Sequence, residues 1–267
     1  MKRSYEFSKN NNDTFEEKGN DMVCGRNAVL ELLKSDREID RILIAPSDNK
    51  GSLVKISALA RDRGIPVKNT TQQKLDSITS QVHQGVIAFC AAHTYSTVDE
   101  ILKKAEDAGH PPFIIITDEL EDPHNLGAIL RTAEACGVDG VIIPKRRNVG
   151  LTSIVAKTSA GAVEYVPVAR VPNIVSVIEE LKGKGVWFYA ADMDGQDWCS
   201  TDFSGAVGLI VGSEGNGVSR LVKEKCDFTI SLPMQGKINS LNASVAASVL
   251  CYEIARQRLG LKSFNKK

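Results

Sequence analysis

The sequence predicts an α/β protein made of two units, a small one followed by a larger one with a mainly parallel sheet. Helix and strand patterns alternate along most of the chain, as they do where helices connect parallel strands. The run Phe113–Thr117 is continuously apolar, which is typical of a strand buried on both faces of such a sheet. The segment Gly109-His110-Pro111-Pro112 is the clearest linker signal, so the boundary between the units belongs there.

The composition limits the kinds of function to consider. With 267 residues, of which 42% are hydrophobic, the chain can bury at least one full core. No apolar stretch approaches the roughly 20 residues that span a bilayer, so we expect a cytoplasmic protein without a membrane partner. Lys and Arg number 33, as do Asp and Glu, which argues against coating nucleic acid by bulk charge but leaves room for a local basic patch. The six scattered cysteines indicate reduced thiols, and we expect neither disulfides nor a metal.

The N-terminal third divides into a tail, a compact unit and a connection. Residues 1–20 are polar and are expected to be disordered, because they bury too little apolar surface to offset their ordering entropy. Residues 21–95 form the small α/β unit, and residues 96–112 form a linker with a helix at Asp99–Ala108. The elements predicted in the small unit are the helices Asn27–Lys34 and Leu53–Arg63 and the strands Arg41–Ala45 and Gly85–Ala91.

Residues 113–267 form the larger unit, an α/β domain with a mainly parallel sheet. Helices are expected between most of its strands, and a long final helix is predicted at Leu241–Leu259. After the strand at Phe113–Thr117, the further predicted strands are Gly140–Ile143, Glu164–Val168, Val186–Ala190, Val207–Val211 and Phe228–Leu232.

A glycine-rich segment, Gly212–Gly217, follows the strand Val207–Val211, and ligands of open α/β sheets usually bind at the carboxyl ends of strands. Its spacing, Gly-x-x-Gly-x-Gly, is neither the dinucleotide fingerprint nor a Walker loop, which disfavours a phosphate cradle and a nucleotide-dependent oxidoreductase. A tight turn alone would explain the glycines. It would not explain Glu214, whose carboxylate could accept hydrogen bonds from a guanidinium or a ribose hydroxyl.

A second segment predicts a helix that starts near Asn125 and stops at Gly137. Arg131 lies on the polar face of this helix, one turn from Glu134. A purely structural role for these residues remains open, in which Asp122 or Asn125 is the N-cap and Arg131 forms an ion pair with Glu134. The acidic run before the helix lacks metal-ligand spacing and suits the helix dipole. The buried stripe is predicted to be Leu126, Ile129, Leu130 and Ala133.

A third segment follows Pro233, where Ser240-Leu241-Asn242 stand at the expected start of the last helix. Such a start offers unpaired backbone N–H groups together with a hydroxyl and an amide. Capping explains one of these polar residues but hardly Ser240, Asn242 and Ser244 together. The small residues that follow suit either core packing or close approach of a second subunit, and both readings stay open: Ala243, Ala246, Ala247 and Ser248.

Together, these three segments resemble the three signature motifs of the SpoU-type (TrmH-like) RNA ribose methyltransferases, members of the SPOUT superfamily. The matching stretches are Asn125 through Arg131 to Gly137, Gly212–Gly217, and Pro233-Met234 with Ser240–Ser244. The first unit, ending in His83–Ala88, is similar to the ribosomal-protein-like RNA-binding domain of the bacterial enzymes that methylate a guanosine ribose in 23S ribosomal RNA. Ala243 departs from the family, which often has valine there.

The resemblance implies a SPOUT-type parallel sheet with a C-terminal trefoil knot that binds S-adenosylmethionine. Periodicity alone would predict an ordinary open sheet, because threaded chains are rare. The resemblance places the adenosyl group on backbone at Gly212, Leu232 and Leu241. Its implied apolar walls are Val211, Ile230 and Met234.

The implied catalytic residues are Asn125, Arg131, Glu214, Ser240 and Asn242. Family accounts sometimes make Arg131 a base, but a guanidinium stays protonated, so we expect it to act as a hydrogen-bonding and electrostatic partner of the ribose oxygen. Asn125 and Glu214 would orient it. Ser240 and Asn242 would hold the nucleoside or the methionyl end.

For RNA contacts, the cluster Lys145-Arg146-Arg147 is the candidate in the catalytic unit, although a solvated loop explains it equally well. Residues 23–95 hold ten Lys and Arg against seven Asp and Glu, so we expect the first unit to recognise RNA by shape rather than by charge density.

The implied function is methyl transfer from S-adenosylmethionine to the ribose 2′-hydroxyl of a guanosine in 23S ribosomal RNA, by a homodimer that associates through its catalytic domain. The alternatives are the same chemistry on transfer RNA or at another ribosomal RNA position, including a resistance-type modification. A rival of another class is an RNA-binding ribosome assembly factor without turnover, which would not need the intact set of polar residues.

Overall fold

The computed structural model describes residues 22–35, 37–46 and 51–262. The predicted disordered tail, residues 1–20, lies outside the described residues. The predicted α/β class is confirmed, since the described chain forms a four-stranded mixed sheet and a six-stranded parallel sheet, each with its own apolar core.

The small unit is a mixed sheet in which β4 lies between β1 and β2, antiparallel to both, while β2 pairs in parallel with β3. Two short strands and a helix escaped prediction. β1 and β3 have three residues each, too few to show an alternation, and β3 is exposed on both faces. In chain order the elements are β1 Met22–Cys24, α1 Arg26–Leu32, β2 Ile39–Ile44, α2 Gly51–Asp62, β3 Val67–Asn69, α3 Gln72–Ile78 and β4 Val86–Cys90.

The larger unit contains a six-stranded sheet with the order β10-β8-β9-β5-β6-β7, and all of its strand pairs are parallel. A capped helix, α4 Val98–Asp107, leads into it. The remaining elements are β5 Phe113–Thr117, α5 Pro123–Ala135, β6 Gly140–Pro144, α6 Ser153–Thr158, β7 Val168–Val171, α7 Ile174–Gly183, β8 Trp187–Asp197, β9 Val207–Val211, α8 Arg220–Lys223, β10 Phe228–Ser231 and α9 Ala243–Arg258, with short 3-10 turns at Ala162–Glu164 and Trp198–Ser200.

Several predicted boundaries in this unit differ from the observed ones. The strand expected at Glu164–Val168 begins only at Val168, because the residues before it form a 3-10 turn that follows the left-handed Gly161. The last helix starts at Ala243 rather than at Leu241, because the side chain of Asn242 caps it. Strand β8 also continues beyond the predicted Ala190. Its pairing with β10 jumps from Ala190 to Gln196, so the segment between them leaves the ladder.

The two units meet at a buried polar group, here called the junction cluster: Asp40, Tyr95 and Arg170. A guanidinium nitrogen of Arg170 lies 2.8 Å from the Asp40 carboxylate, and Arg170 also donates to the Asp40 carbonyl. The Tyr95 hydroxyl donates to Asp40 at 2.6 Å and accepts from the Leu151 N–H. Burial raises the pKa of Asp40 although the nearby Arg170 lowers it. The cluster thus ties β2 of the first unit to β7 of the second.

Across the described ranges, the helices are too short or too polar to traverse a lipid bilayer. In the same residues, no grouping of His, Cys, Asp and Glu has the arrangement of a metal site.

Candidate active site

The glycine-rich segment folds into a tight turn at the carboxyl end of β9. Ser213 and Gly217 exchange two backbone hydrogen bonds, of 3.1 and 2.9 Å. A Cβ atom on Gly212 would lie 2.0 Å from the carbonyl carbon of Gly217, so only glycine permits this approach of the two backbone segments. Gly217 has a left-handed φ of 64°. The turn leaves Glu214 exposed at its tip.

Glu214 meets two asparagines from the other motif segments, and these three residues are called the polar cluster. Oε1 of Glu214 accepts hydrogen bonds from Nδ2 of Asn125 at 2.5 Å and from Nδ2 of Asn242 at 2.6 Å. Nδ2 of Asn242 also lies 3.0 Å from Oδ1 of Asn125. The structure therefore brings together one residue from each motif, although 117 positions separate Asn125 from Asn242.

The direction of the Asn242 amide follows from its role as a helix cap. Its Oδ1 accepts hydrogen bonds from the backbone N–H groups of Ser244 and Val245, at 2.9 and 3.3 Å, and from the Ser244 hydroxyl. Because Oδ1 is used by the helix, Nδ2 must point to the carboxylate. Glu214 keeps Oε2 without a hydrogen-bond partner among the described residues, which leaves one oxygen able to accept a hydrogen bond from a ligand.

Helix α5 supplies Asn125 from its first turn. Asp122 is the N-cap, since its carboxylate accepts from the N–H of His124 at 2.8 Å, and Pro123 occupies the first helical position. Asn125 is therefore free of the capping role that the sequence left open. Gly127 allows α5 to lie against α6, because a Cβ atom there would come within 1.9 Å of the Thr158 hydroxyl oxygen. This packing of α5 against α6 sets the position of the helix turn that carries Asn125.

Arg131 lies apart from the polar cluster. It is six residues beyond Asn125 on α5, about 9 Å along the helix axis, and it is exposed. Within the described chain its guanidinium has neither a hydrogen bond nor an ion pair, so the expected contacts with Asn125 and Glu214 are not formed. The alternative pairing with Glu134 is not formed either. The side chain is available to a ligand or to a second polypeptide.

Ser240 also stands outside the cluster. It lies in the exposed loop between β10 and α9, two residues before the cap Asn242, whereas the sequence predicted it directly at the helix start. Its hydroxyl has no hydrogen-bond partner in the described part of the chain. The loop leaves it beside the cluster in sequence, where it can face a ligand.

The residues expected to bind the cofactor fall into two groups. Val211 and Ile230 are core residues with 2% and 0% exposure, so their side chains do not offer the predicted apolar walls and only their backbone can line a site. Met234 and Leu241 are partly exposed, at 36% and 40%, and Leu232 is half-buried. Exposed apolar side chains beside a glycine turn fit an adenosyl group, which needs apolar contacts and close backbone.

The acidic run before α5 has structural roles that the sequence did not reveal. Asp118 is buried and accepts from the N–H of Ser219 at 2.7 Å, which ties the end of β5 to the start of α8. Glu119 pairs with Arg147 at 2.8 Å.

Two cavities adjoin these residues. One of about 410 Å³ is lined by Asn125, Ser213 and Glu214, and it lies directly on the polar cluster. A larger cleft of about 1250 Å³ lies between the two units, and Lys145, Arg146 and Arg147 line it.

Comparison with known families agrees with this geometry. Residues 112–252 match the model of the SpoU rRNA methylase family, and residues 22–96 match a model described as RNA 2′-O ribose methyltransferase substrate binding. The chain is 49% identical over 239 residues to the Bacillus subtilis protein YacO, whose name provisionally assigns it to the TrmH family of tRNA/rRNA methyltransferases. That alignment covers 89% of this chain and 96% of YacO. A Staphylococcus saprophyticus relative with the same family name is 46% identical, with the same coverage.

Solved structures show the same fold. The SpoU methyltransferase AviRb from Streptomyces viridochromogenes, in complex with AdoMet, has a TM-score of 0.56 at 23% identity, over 89% of this chain and 90% of AviRb. An AdoMet-bound rRNA methyltransferase from Sinorhizobium meliloti has a TM-score of 0.55 at 24% identity, over 91% and 88% of the two chains.

Fold, site and family models together define the class of protein, an S-adenosylmethionine-dependent RNA methyltransferase. Within that class, the chain belongs to the SpoU rRNA methylase family.

Proposed function

We propose that this chain transfers the methyl group of S-adenosylmethionine to the ribose 2′-oxygen of a guanosine in 23S ribosomal RNA. The observation that carries the proposal is the convergence of Asn125, Glu214 and Asn242 beside an open cavity, with one carboxylate oxygen left without a partner in the described ranges. Residues 21–95 would bind the RNA and residues 113–267 would carry out transfer, with 96–112 as the connection. The C-terminal segment would form the trefoil knot of the SPOUT fold around the cofactor.

The chemistry requires two reactants to be held together while negative charge develops on a weakly acidic hydroxyl. The bound cofactor supplies an electrophilic methyl group on a sulfonium. Glu214 would accept a hydrogen bond from the ribose through its free oxygen, and the two asparagines hold that carboxylate in place. Arg131, which stays protonated, would stabilise the oxygen as its charge develops. Ser240 and Asn242 would contact the nucleoside or the methionyl end.

The cofactor would rest on backbone at Gly212, Leu232 and Leu241, with Met234 as an apolar wall. Val211 and Ile230 would contribute backbone only, because their side chains are buried in the core. Lys145, Arg146 and Arg147 would contact phosphates of the RNA from the cleft between the units.

We also propose a homodimer through the catalytic domain. Helix α9 exposes Val245 and Tyr252, two turns apart, and its small residues adjoin α5, where Thr132 and Ser248 share a hydrogen bond of 2.8 Å. Tyr252→Glu should convert a dimer to a monomer in light scattering, whereas the same change at the remote, exposed Tyr165 should not. A wild type that is monomeric at micromolar concentration would contradict the dimer.

The function is tested by incubating the protein with methyl-labelled S-adenosylmethionine and total bacterial RNA. Labelled 2′-O-methylguanosine in the large ribosomal RNA, mapped by reverse-transcription stops, supports the proposal. Label in transfer RNA supports the main alternative, to which the relatives' names are equally open. Absence of label in every fraction supports a non-catalytic assembly factor. Arg131→Ala should abolish transfer while calorimetric cofactor binding persists; the reverse pattern would overturn the role of Arg131.

A further inference from the structure

The cleft between the two units is strongly basic, although the whole chain has no net charge. Six cationic side chains line it without a carboxylate at ion-pair distance in the described residues. Four come from the first unit and two from the catalytic unit: Arg41, Arg61, Lys68, Lys74, Lys145 and Arg146. A seventh and an eighth cation, Arg147 and Arg170, also line the cleft but are paired.

Among the described residues, few acidic groups oppose these cations. Asp40 and Glu121 are the carboxylates among the cleft-lining residues, and Asp40 is occupied by Arg170. Lys145 reaches across the gap, since its ammonium lies 3.7 Å from the position of a Cβ atom on Gly64. The near balance of charge that the sequence shows for the first unit therefore hides a one-sided distribution. A surface of this kind fits a chain of phosphates.

Arg147 connects this cleft to the polar cluster. It lines both the cleft and the smaller cavity at Asn125 and Glu214, and Glu121 is the other residue common to the two. Arg147 and its partner Glu119 both have left-handed backbones, with φ of 54° and 58°. The Arg147 side chain is 74% exposed, and exposed ion pairs contribute little to stability. A phosphate can therefore replace the Glu119 carboxylate at modest cost.

We propose that the cleft holds a single-stranded segment of the RNA substrate, which passes over Arg147 to the polar cluster and exchanges Glu119 for a phosphate on that guanidinium. The inference rests on the proposed function, because it assigns a binding position to the RNA substrate of that function. An unpaired segment is required because a nucleotide must enter a cavity of about 410 Å³, which a base-paired nucleotide within a helix does not do. Contacts with the cations read the backbone and not the sequence.

The first test measures binding of a fluorescein-labelled oligouridylate by anisotropy at several salt concentrations. For a single-stranded ligand, the logarithm of the binding constant falls linearly with the logarithm of the salt concentration. Each phosphate contact that is removed lowers the magnitude of this slope by about 0.7. The double variant Lys68→Gln/Lys74→Gln should lower the slope by about 1.4 and weaken binding about tenfold at low salt. The matched control is Lys55→Gln, an exposed cation on α2 that does not line the cleft, and this variant should bind as the wild type does. An unchanged slope in the double variant would overturn the proposal.

The second test asks whether RNA affinity rises or falls when one partner of the Arg147–Glu119 ion pair is replaced. Glu119→Gln should tighten binding about threefold, because the guanidinium no longer has a competing carboxylate. Arg147→Gln should weaken binding, and Glu119→Gln should add nothing in that background. Thermal unfolding of each variant checks that the fold is intact. Equal or weaker binding by a folded Glu119→Gln protein would show that Arg147 does not contact the RNA in the cleft.

Transfer of label by the wild type separates this proposal from the function on which it rests. If the charge variants bind RNA normally while the wild type methylates RNA, the proposed RNA path through the cleft is wrong and the proposed function is unaffected. If RNA binding depends on these charges but the wild type transfers no label to RNA, the proposed function is wrong and the RNA path through the cleft is unaffected.

Discussion

The junction cluster and the polar cluster are both built of polar side chains from distant parts of the chain, yet their surroundings differ. The junction cluster pairs a carboxylate with a guanidinium, and Asp40 within it is only 2% exposed. The polar cluster surrounds one carboxylate with two amides and opens onto a cavity, and one oxygen of Glu214 has no partner among the residues that the structure describes. The contrast indicates that a buried carboxylate balanced by a guanidinium holds the fold, whereas an exposed carboxylate with an oxygen available at a cavity is fit to bind a ligand.

The largest expected effect is on stability, at the junction. Arg170→Met would leave the buried carboxylate of Asp40 without its cation and remove donors to the Asp40 and Ile39 carbonyls. We expect the free energy of unfolding to fall by about 3–5 kcal/mol, as measured by urea denaturation. Lys182→Met, at a partly exposed pair with Asp227, is the control and should cost about 1 kcal/mol or less. Equal losses would show that the junction cluster does not hold the units together.

The junction effect should depend on pH in a defined direction. Burial raises the pKa of Asp40, and loss of Arg170 removes a group that lowers it, so the folded-state pKa rises further in Arg170→Met. A raised acid pKa makes the folded state bind the proton more tightly than the unfolded chain does. The variant should therefore lose stability as pH rises above the ordinary value of 3.8 and recover part of its deficit as pH falls toward it. A deficit that is constant across this range would contradict burial of the ionised carboxylate.

At the polar cluster, the expected effect is on turnover. Glu214→Gln keeps the size of the side chain and an oxygen for both asparagines, but it replaces the free acceptor by an amide donor. We expect transfer to fall about 100-fold, with cofactor affinity unchanged and unfolding altered by less than about 1 kcal/mol. Glu224→Gln on α8 is the control. A loss of stability without a loss of turnover would make Glu214 a structural residue.

The smallest expected effect separates capping from catalysis at Asn242. Both Asn242 and Asn173 cap a helix through their side-chain oxygen, on α9 and α7. Replacing either by Ala should cost about 1 kcal/mol of unfolding free energy. Only Asn242→Ala should also lower transfer, by about tenfold, because of these two caps only Asn242 donates a hydrogen bond to Glu214. Equal activity of the two variants would reduce Asn242 to a cap.

Sequence reasoning predicted the parts of the fold that burial dictates. The strands at Phe113–Thr117 and Val207–Val211 were predicted with their observed limits, because both are continuously apolar and buried. The strand at Val67–Asn69 was missed, since it is short and exposed. The N-cap of α5 stayed ambiguous because Asp122 and Asn125 both suit that position, and only the three-dimensional packing assigns it to Asp122.

The candidate site was only partly visible in the sequence. Asn125, Glu214 and Asn242 were singled out because their segments resemble known motifs, and no periodicity predicts that they meet. Ser240 and Arg131 were assigned to the same place, but they make no contact with the cluster in the described chain. The basic cleft was visible only in the cluster Lys145-Arg146-Arg147, because Arg41, Lys68 and Lys74 are scattered along the chain and join that cluster only through the fold.

The proposed ribose methylation is tested most directly by digesting RNA labelled by the purified protein to nucleosides and identifying the atom that carries the methyl group. We expect 2′-O-methylguanosine with the wild type, about 100-fold less with Glu214→Gln and none with Arg131→Ala. A methyl group on a base, or equal 2′-O-methylation by all three proteins, would contradict this proposal.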